Sequence, residues 1–451
     1  MLTRDGAYEV DLTVPALGEA SVRSPLKLST IKGDRIYNFI GDDECVLMEA
    51  LGRRDRRDAD PERAAAFERA GPRELLYFEP DDLVAGIVTC GGLCPGMNNA
   101  IRAATRELLN HYRVREVLGF RYGFAGLNPE EGYAPLSLSA GSVDGIHYDG
   151  GSVLGSSRGP QDPGIVVDQL ERLGVRLLLV IGGDGSMRAA HAVYEEVARR
   201  GVPISIVGVP KSIDNDVPLV DKTFGYETAF SIAVESIRAA HTEAAAYRNG
   251  VGLVRLMGRH SGFIAASAAA AAADADFVLV PEVPLVLDGP NGFLHALVES
   301  VRSKGHAVVV VAEGAGQDLL QDDRAAPDLD ESGNVRLLDI GTYLKDRIDG
   351  ALRERGIRHT VKYIDPSYLI RSAPANPSDS VYSSDLARNA VHAGMAGRTG
   401  LLIGYWNGEY THVPLREVIA RSKEVDLEGD LWHAVLESTG QPALWSEGAA
   451  G

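Results

Sequence analysis

Five apolar runs of strand length, each followed by a glycine-rich or polar cluster, dominate the chain beyond residue 81. Runs without polar alternation are typical of parallel strands buried on both faces. Three of them lead into residues with a helical period, as βα units do. The runs are LVAGIVT (83–89), RLLLVI (176–181), ISIVGV (204–209), VGLVRLM (251–257) and AVVVVA (307–312). They predict an α/β fold whose ligand crevice lies beyond the carboxyl ends of the strands.

The formal net charge is −18 over 451 residues. Nucleic acids and anionic membranes bind basic surfaces, so this charge argues against both as partners. Small phosphorylated molecules need only backbone N–H groups and a few Arg or Lys residues. No apolar stretch of about 18 residues is present, and the N-terminal MLTRDGAYEV lacks the apolar core of a signal peptide. We therefore expect a cytoplasmic protein that acts on small molecules.

The three cysteines, Cys45, Cys90 and Cys94, are too few for a disulfide framework. Cys90 and Cys94 flank a diglycine turn, and no second Cys/His pair lies at zinc-ligand spacing. We interpret them as packing residues, with metal binding as the alternative.

Residues 1–80 differ from the rest of the chain. They contain short β-like runs (YEVDLTV, KLSTI, RIYNFI and ECVLMEAL), and the charged stretch GRRDRRDADPERAAAFERAG follows the last of them. We expect an N-terminal extension in which the charged stretch is an exposed helix or a linker.

GGDGS, residues 182–186, joins a predicted strand to a predicted helix. Glycines let a phosphate approach the backbone closely, and a helix N-terminus favours anions. Asp184 cannot bind phosphate itself, but a carboxylate beside a phosphate site indicates a bridging Mg²⁺. The alternative is a tight turn in which the aspartate caps the helix.

Two further glycine-rich loops are GGLCPGMNNAIR (91–102) and GGSVLGSSRGPQD (150–162), the second of which contains Arg158. The chain has no GxxxxGKS motif and no kinase HRD or DFG set. Three such loops in one chain therefore predict phosphate binding of a different design.

PKSIDND, residues 210–216, places a lysine, a serine and two aspartates directly after an apolar strand. A surface turn has a similar composition. A phosphoryl-transfer site needs the same groups, because it requires a base for the attacking hydroxyl and positive charge for the phosphate. In that interpretation Asp214 is the base, Asp216 and Ser212 orient it, and Lys211 contacts a phosphate.

Further polar residues suit a phosphorylated sugar. Arg259 and Glu313 follow two predicted strands, in LMGRHSG and AEG, and YIDPSYLIRS contains Tyr368 and Arg371. Guanidinium and hydroxyl groups are good phosphate ligands.

The motifs GGLCPGMNNAIR, GGDGS, PKSIDND, LMGR, AEG and YLIR occur in an order that resembles the 6-phosphofructokinase family. The resemblance covers roughly residues 81–435, and the combination is far more specific than any one motif. VKYIDPSYLIR, MAGRTG and the N-terminal extension resemble the long-chain branch, which is related to the pyrophosphate-dependent enzymes.

The resemblance implies a role for each matching position. The positions implied for the nucleotide and its phosphates are Gly92, Arg158, Gly159, Gly183, Asp184, Gly185, Ser186 and Lys211. The positions implied for fructose 6-phosphate are Ser212, Ile213, Asp214, Met257, Gly258, Arg259, Glu313, Tyr368 and Arg371. Asp214 is the implied proton acceptor from the sugar 1-hydroxyl, and Asp216 and Arg259 complete the implied catalytic set. The implied ligand of Mg²⁺ is Asp184.

The resemblance also implies the architecture: two facing Rossmann-like α/β lobes plus the extension. The implied domains are the extension 1–80, a nucleotide-binding lobe 81–218 completed by about 392–435, a fructose 6-phosphate-binding lobe 219–391 and a C-terminal tail 436–451. A homotetramer or a homodimer is expected.

One position departs from the short-chain bacterial pattern. Seven residues before the methionine of MGR, that pattern has an arginine that reaches the substrate of a neighbouring subunit, and this chain has Gly250. Arg255 or another basic residue is the expected replacement.

Two positions bear on the phosphate donor. A second aspartate in the turn (GGDD) together with PK in the later motif resembles pyrophosphate users, and this chain combines Gly185 with Lys211. A carboxylate at position 185 would repel the α-phosphate of a nucleotide, whereas lysine only adds attraction, and repulsive elements usually decide specificity. We therefore expect ATP as co-substrate.

Three alternatives accompany this prediction. The first is a pyrophosphate-dependent enzyme acting on the same sugar phosphate. The second is a kinase of another acceptor such as NAD, which GGDG alone suggests. The third is a regulatory subunit that binds the ligands without catalysis, against which the presence of Asp184 and Asp214 argues.

Overall fold

The computed structural model of the chain describes residues 10–49, 65–159, 161–320 and 335–448. These residues form two compact units. Unit 1 comprises the described residues of Met1–Ser212, Val217–Gly225 and Ala373–Ser422. Unit 2 comprises those of Ile213–Asp216, Tyr226–Ser372 and Lys423–Gly451.

The described strands, in chain order, are β1 Val22–Arg23, β2 Cys45–Leu47, β3 Ala66–Arg69, β4 Leu75–Leu76, β5 Val84–Thr89, β6 Glu116–Phe120, β7 Leu136–Leu138, β8 Val175–Gly182, β9 Ser205–Ser212, β10 Phe224–Gly225, β11 Gly250–Leu256, β12 Phe277–Leu279, β13 His306–Ala312, β14 Thr360–Ile364, β15 Leu401–Trp406 and β16 Glu409–Pro414.

The described α-helices are α1 Met97–Arg106, α2 Pro163–Arg172, α3 Asp184–Arg200, α4 Tyr226–Ala246, α5 Phe263–Ala272, α6 Phe293–Lys304, α7 Ile340–Glu354, α8 Ser367–Ser372, α9 Pro377–Met395, α10 Leu415–Ile419 and α11 Asp430–Thr439. A π-helical segment, Glu107–Tyr112, continues α1.

Unit 1 is built on a mixed sheet in the order β2-β3-β16-β15-β9-β8-β5-β6-β7, with β10 paired to β9. The strands from β15 to β6 are parallel, and antiparallel strands extend the sheet on both sides. β5 is buried throughout, and so is β8 apart from Arg176. The continuous apolar runs therefore form the parallel centre of the sheet, and the α/β fold predicted from them is confirmed.

The strand predicted at 204–209 is longer than the apolar run suggests. β9 continues through Pro210 and Lys211 to Ser212, because β10 pairs in parallel with its last two residues. The polar side chains of Lys211 and Ser212 therefore project from a strand and not from a loop.

The N-terminal extension contributes strands to the sheet of unit 1. β3 pairs antiparallel with both β2 and β16, and Phe67 in its middle is fully buried. The charged stretch predicted as helix or linker ends in this strand, because pairing and burial override the helix propensity of Ala, Glu and Arg. The rest of that stretch, residues 52–64, lies outside the described residues. The KLSTI run is not a strand and takes part only in an isolated bridge between Ser29 and Asn38.

Unit 2 has an all-parallel sheet in the order β12-β13-β11-β14. The apolar runs at 251–257 and 307–312 form β11 and β13, its two central strands, in which Arg255 and His306 alone are not fully buried. The polar clusters that follow these strands therefore begin at one edge of one sheet.

The boundaries of the two units differ from the domain boundaries expected by resemblance. The chain passes from unit 1 to unit 2 between Ser212 and Ile213, inside PKSIDND. Residues 423–448 are in unit 2 together with α5 and β12, against which α11 packs. In the described part of the chain, no helix combines the length and the apolar character needed to cross a bilayer.

Candidate active site

Three glycine-containing or polar segments of unit 1 meet at the carboxyl ends of neighbouring strands. Lys211 Nζ, at the end of β9, donates a hydrogen bond of 2.6 Å to the carbonyl oxygen of Gly92, which follows β5. A Cβ atom built on Gly91 would lie 3.4 Å from that Nζ and 3.7 Å from Ser186 Oγ. The order β9-β8-β5 thus brings the diglycine, GGDGS and Lys211 together.

The GGDGS turn leads directly into α3, a helix of 17 residues. Gly183 is its N-cap, and the carbonyl oxygen of Gly183 accepts hydrogen bonds from the N–H groups of Ser186 and Met187. A Cβ on Gly182 would overlap the side chain of Ser186, so glycine allows strand and helix to approach this closely. The first turn of α3 therefore presents main-chain N–H groups and the positive end of the helix dipole to an anion.

Asp184 lies in the first turn of α3 and is not its cap, so the alternative of a capping aspartate is wrong. Its carboxylate accepts a hydrogen bond of 3.1 Å from Nε of Arg188, one turn along the helix. Arg188 is not among the predicted site residues, although its spacing of four residues from Asp184 on a helix is a usable signal.

The position after Asp184 is open. A Cβ on Gly185 would meet no atom within 4 Å, and the residue is exposed. The main chain here leaves space for a ligand and carries no charge of its own.

The third glycine-rich loop is hydrogen-bonded to the first. Ser156 Oγ donates to the carbonyl oxygen of Gly91 at 2.5 Å, and the N–H of Gly91 donates to Ser157 O at 3.1 Å. Arg158 and Gly159 follow and are exposed, and Gly159 has a φ of +97° that favours glycine. Arg158 is among the predicted site residues, whereas Ser156 and Ser157 are not, and their signal in the sequence is their place directly before that arginine.

Asp214 belongs to unit 2. Its carbonyl oxygen accepts a hydrogen bond of 2.9 Å from Ser261 Oγ, and its Oδ1 is inaccessible to solvent although the residue as a whole is partly exposed. The loop that follows β11 therefore holds the main chain of Asp214 in place.

Burial raises the pKa of Asp214 to about 8, and the negative charges of Asp216 and Glu313 contribute to the rise. The nearby charge of Arg371 and the main-chain N–H of Arg259 act in the opposite direction on this pKa. A carboxylic acid poised near neutral pH is suited to general acid–base chemistry.

The turns after β11 and β13 interlock. The N–H of Glu313 donates to Leu256 O at 2.8 Å, and that of Gly314 donates to Gly258 O at 3.0 Å. Gly258 has a φ of +128°, and a Cβ there would overlap the carbonyl oxygen of Ser261. Only glycine fits this turn, which places Arg259 and Glu313 beside each other.

The remaining substrate positions of unit 2 differ in what they expose. Ile213 and Met257 are buried, with 7% and 1% of their surface exposed. Tyr368 on α8 is 85% exposed, and Arg371 on the same helix is partly buried. Arg259 donates from Nη1 to the carbonyl oxygen of Val335 at 2.7 Å.

The predicted site residues thus fall into two groups. Unit 1 contains the positions assigned to the nucleotide, together with Ser212, whose carbonyl oxygen accepts a hydrogen bond of 2.6 Å from Thr223 Oγ1. Unit 2 contains the other positions assigned to the sugar phosphate, together with Asp216.

A metal site must draw on few protein ligands. No group of three His, Cys, Asp or Glu side chains within the described residues is placed to hold a metal ion by itself. Mg²⁺ commonly binds one or two carboxylates together with phosphate oxygens and water. Asp184, 38% exposed beside the open Gly185, fits such a role. Cys90 and Cys94 are buried, and burial raises the pKa of Cys90 to about 12, so its thiol stays protonated at neutral pH.

Comparison with known proteins gives concordant matches. The family model described as phosphofructokinase matches residues 84–394, a range that includes every predicted site residue. The chain is 49% identical to the ATP-dependent 6-phosphofructokinase of Amycolatopsis methanolica, over 98% of this chain and 97% of that protein. It is 42% identical to the ATP-dependent 6-phosphofructokinase of Borreliella burgdorferi, over 96% of this chain and 97% of that protein.

A solved structure shows a similar fold. The pyrophosphate-dependent phosphofructokinase from Marinobacter aquaeolei has a TM-score of 0.65 and 22% sequence identity. The match covers 81% of this chain and 92% of that one. At this identity the likeness concerns the fold alone.

Proposed function

The chain belongs to the phosphofructokinase family, and we propose that it is an ATP-dependent 6-phosphofructokinase of glycolysis. It would transfer the γ-phosphoryl group of ATP to the 1-hydroxyl of D-fructose 6-phosphate, giving fructose 1,6-bisphosphate and ADP. The observation that carries the proposal is Asp214: a shielded carboxyl group with a pKa near 8, held in a loop among Arg259, Glu313 and Arg371.

Asp214 acts as the general base. Its carboxylate takes the proton of the sugar 1-hydroxyl as the oxygen attacks the γ-phosphorus, and the bond from that phosphorus to the β-bridging oxygen breaks to release ADP. Asp216 raises the proton affinity of this base by its negative charge. The hydrogen bond from Ser261 to the main chain of Asp214 keeps the base in position.

The residues of unit 2 bind the acceptor. Arg259, Arg371 and Tyr368 offer guanidinium and hydroxyl donors to the 6-phosphate. Glu313 offers hydrogen-bond acceptors to the sugar hydroxyls, and Met257 and Gly258 are the neighbouring positions that the family resemblance assigns to the same ligand. The interlocked turns after β11 and β13 support this assignment, because they hold Arg259 and Glu313 on rigid strand ends.

The residues of unit 1 bind the donor. The turn at Gly183 to Ser186 offers main-chain N–H groups at the start of α3, and Gly92, Arg158 and Gly159 lie on the two loops bonded beside it. Lys211 adds a positive charge at the same strand ends. The open, neutral Gly185 supports a nucleotide over pyrophosphate, since nothing there repels an α-phosphate.

Mg²⁺ would be held by Asp184 together with phosphate oxygens of the donor. When bound, the ion neutralises charge on those oxygens. Arg188, paired with Asp184, keeps the carboxylate in place at the start of the helix.

A homotetramer or a homodimer, which rests on the family, and a cytoplasmic location remain our predictions for this chain. Size-exclusion chromatography with light scattering measures the first. Fractionation of the source cells measures the second.

The test is the formation of fructose 1,6-bisphosphate from fructose 6-phosphate and Mg²⁺, with ATP and pyrophosphate as donors at equal concentration. We expect turnover with ATP. The Asp214→Ser variant should lose about 10²- to 10⁴-fold in kcat, the usual contribution of a general base, while its circular dichroism spectrum stays unchanged.

Turnover with pyrophosphate alone would show that Lys211 outweighs Gly185 in donor choice. It would replace the proposal by the pyrophosphate-dependent alternative. Full activity of the Asp214→Ser variant would refute the assignment of the base.

A further inference from the structure

Arg255 occupies the centre of the sheet of unit 2. It lies near the carboxyl end of β11, the strand between β13 and β14, and its side chain is 18% exposed. Its two terminal nitrogens serve different neighbours: Nη2 donates to Glu313 Oε2 at 2.7 Å, and Nη1 donates to Asp365 Oδ2 at 2.8 Å. One guanidinium thus connects the residues that follow both adjacent strands.

Asp365 in turn anchors α8. Its Oδ1 accepts hydrogen bonds from the N–H of Ser367 at 3.0 Å and from Ser367 Oγ at 2.5 Å, while its Oδ2 receives Arg255. α8 carries Tyr368 and Arg371. A helix of six residues depends on such an anchor, because a short helix is marginal by itself.

Arg255 is the expected replacement for the arginine that the short-chain bacterial pattern has at the position of Gly250. Both terminal nitrogens of Arg255 donate to carboxylates of its own chain. Packing explains the glycine at position 250, since a Cβ there would overlap the carbonyl oxygen of Ala244.

We propose that Arg255 is a positioning residue for the acceptor side of the reaction, holding Glu313 directly and Tyr368 and Arg371 through Asp365. The proposal rests on the proposed function, because these three residues are its assigned contacts to fructose 6-phosphate. Arg255 contacts no substrate itself and acts through the two carboxylates.

Charge gives Arg255 a second effect on the same site. Its positive charge lies between two carboxylates, 2.7 Å from Glu313 and 2.8 Å from Asp365. Without the guanidinium, both negative charges would repel the dianionic 6-phosphate. Without Arg255, the misplaced contact residues and the uncompensated negative charge would therefore both weaken the binding of fructose 6-phosphate.

The variants are Arg255→Gln, Arg255→Lys and, as matched control, Arg347→Gln. Arg347 also lies in unit 2 and also binds a carboxylate through a guanidinium, at 2.8 and 2.9 Å from Asp288. The readouts are KM for fructose 6-phosphate, KM for ATP, kcat and the melting temperature of each purified protein.

We expect Arg255→Gln to raise KM for fructose 6-phosphate by about 100-fold, the scale of a misplaced substrate contact, with KM for ATP unchanged. The KM of Arg255→Lys for fructose 6-phosphate should lie between those of Arg255→Gln and wild type, because lysine keeps the charge but cannot bridge two carboxylates. Arg347→Gln should keep both KM values.

A second measurement separates positioning from simple stabilisation. Asp365→Asn should also raise KM for fructose 6-phosphate, and the double variant with Arg255→Gln should raise it by less than the product of the single effects. If the two single effects on KM multiply in the double variant, Arg255 does not act through Asp365.

The outcomes are distinguishable from a failure of the proposed function. Wild-type protein without turnover of fructose 6-phosphate would overturn both. An active wild type with an Arg255→Gln variant of unchanged KM, or with both KM values raised in parallel with a lowered melting temperature, would overturn the positioning role alone.

Discussion

At the scale of single residues, the chemistry of the acceptor side depends on how Asp214 is surrounded. A solvent-exposed aspartate is too weak a base near neutral pH, whereas burial and two neighbouring carboxylates raise the pKa of Asp214 to about 8. Since the base must be ionised to accept a proton, kcat/KM for fructose 6-phosphate should rise as the pH increases through that value.

Asp216→Asn tests the cause of this rise. The change removes a negative charge that raises the pKa of Asp214, so this pKa should fall and the ascending limb of the pH profile should move to lower pH. The measurement is kcat/KM for fructose 6-phosphate across the neutral and mildly alkaline range.

The control is Asp346→Asn on α7, an exposed carboxylate that does not contribute to the pKa of Asp214. Its profile should coincide with that of wild type. A profile for Asp216→Asn that is unshifted or shifted to higher pH would contradict the electrostatic account.

At the scale of elements, two glycines show how strands and helices of unit 2 approach each other. A Cβ on Gly250, at the start of β11, would overlap the carbonyl oxygen of Ala244 near the end of α4. A Cβ on Gly350, within α7, would meet nothing within 4 Å. The first glycine is required by a backbone contact and the second is not.

Gly250→Ala should therefore lower the free energy of unfolding by about 1–3 kcal/mol, the usual cost of overpacking. Gly350→Ala should leave it unchanged or raise it by up to about 1 kcal/mol, because alanine is the better helix former. Urea unfolding of both variants measures the difference. Equal stabilities for the two would contradict the contact.

At the scale of the whole molecule, the N-terminal extension is joined to the rest of unit 1 by buried charges. Glu68 on β3 binds Arg73 at 3.0 Å and Arg398 at 2.8 Å, and His412 Nδ1 lies 3.2 Å from it. Although burial opposes it, the contacts to His412 and Arg398 lower the pKa of Glu68 to about 2.

The lowered pKa gives Glu68 a pH-dependent contribution to stability. A carboxylate whose pKa is lower in the folded state than its ordinary 4.5 stabilises the protein fully above pH 4.5 and loses that effect as the pH falls through about 2. Glu68→Gln should lower the free energy of unfolding by about 3 kcal/mol at neutral pH, and the deficit should shrink on acidification.

The control is Glu409→Gln, which breaks a surface pair with Arg69 in which the glutamate is 48% exposed. That variant should lose no more than about 1 kcal/mol. Urea unfolding at neutral pH and at about pH 3 compares the two variants. A deficit for Glu68→Gln that is constant with pH would rule out the electrostatic origin.

The sequence by itself determined the central strands of both units. Continuous apolar runs such as those of β5, β8 and β13 can be satisfied only by burial on both faces, so their pattern predicts their place. It also determined which polar residues follow those strands. Asp214, Arg259 and Glu313 are therefore placed just beyond strand ends by the sequence itself.

Only the tertiary structure decided which weakly patterned segments became strands. β3 carries helix-forming residues and is a strand because β2 and β16 pair with it. Lys211 and Ser212 belong to β9 because β10, more than ten residues later, supplies their partners. Such pairings depend on contacts distant in sequence, which no local pattern encodes.

The partners of charged residues were likewise decided by the tertiary structure. No spacing connects Arg255 with Asp365 or Glu68 with Arg398, because each pair forms only when remote strands become neighbours. Residue types at strand ends predict the chemistry that a site needs. The raised pKa of Asp214 and the bridge made by Arg255 arise from burial and from charges that only the folded chain brings within reach.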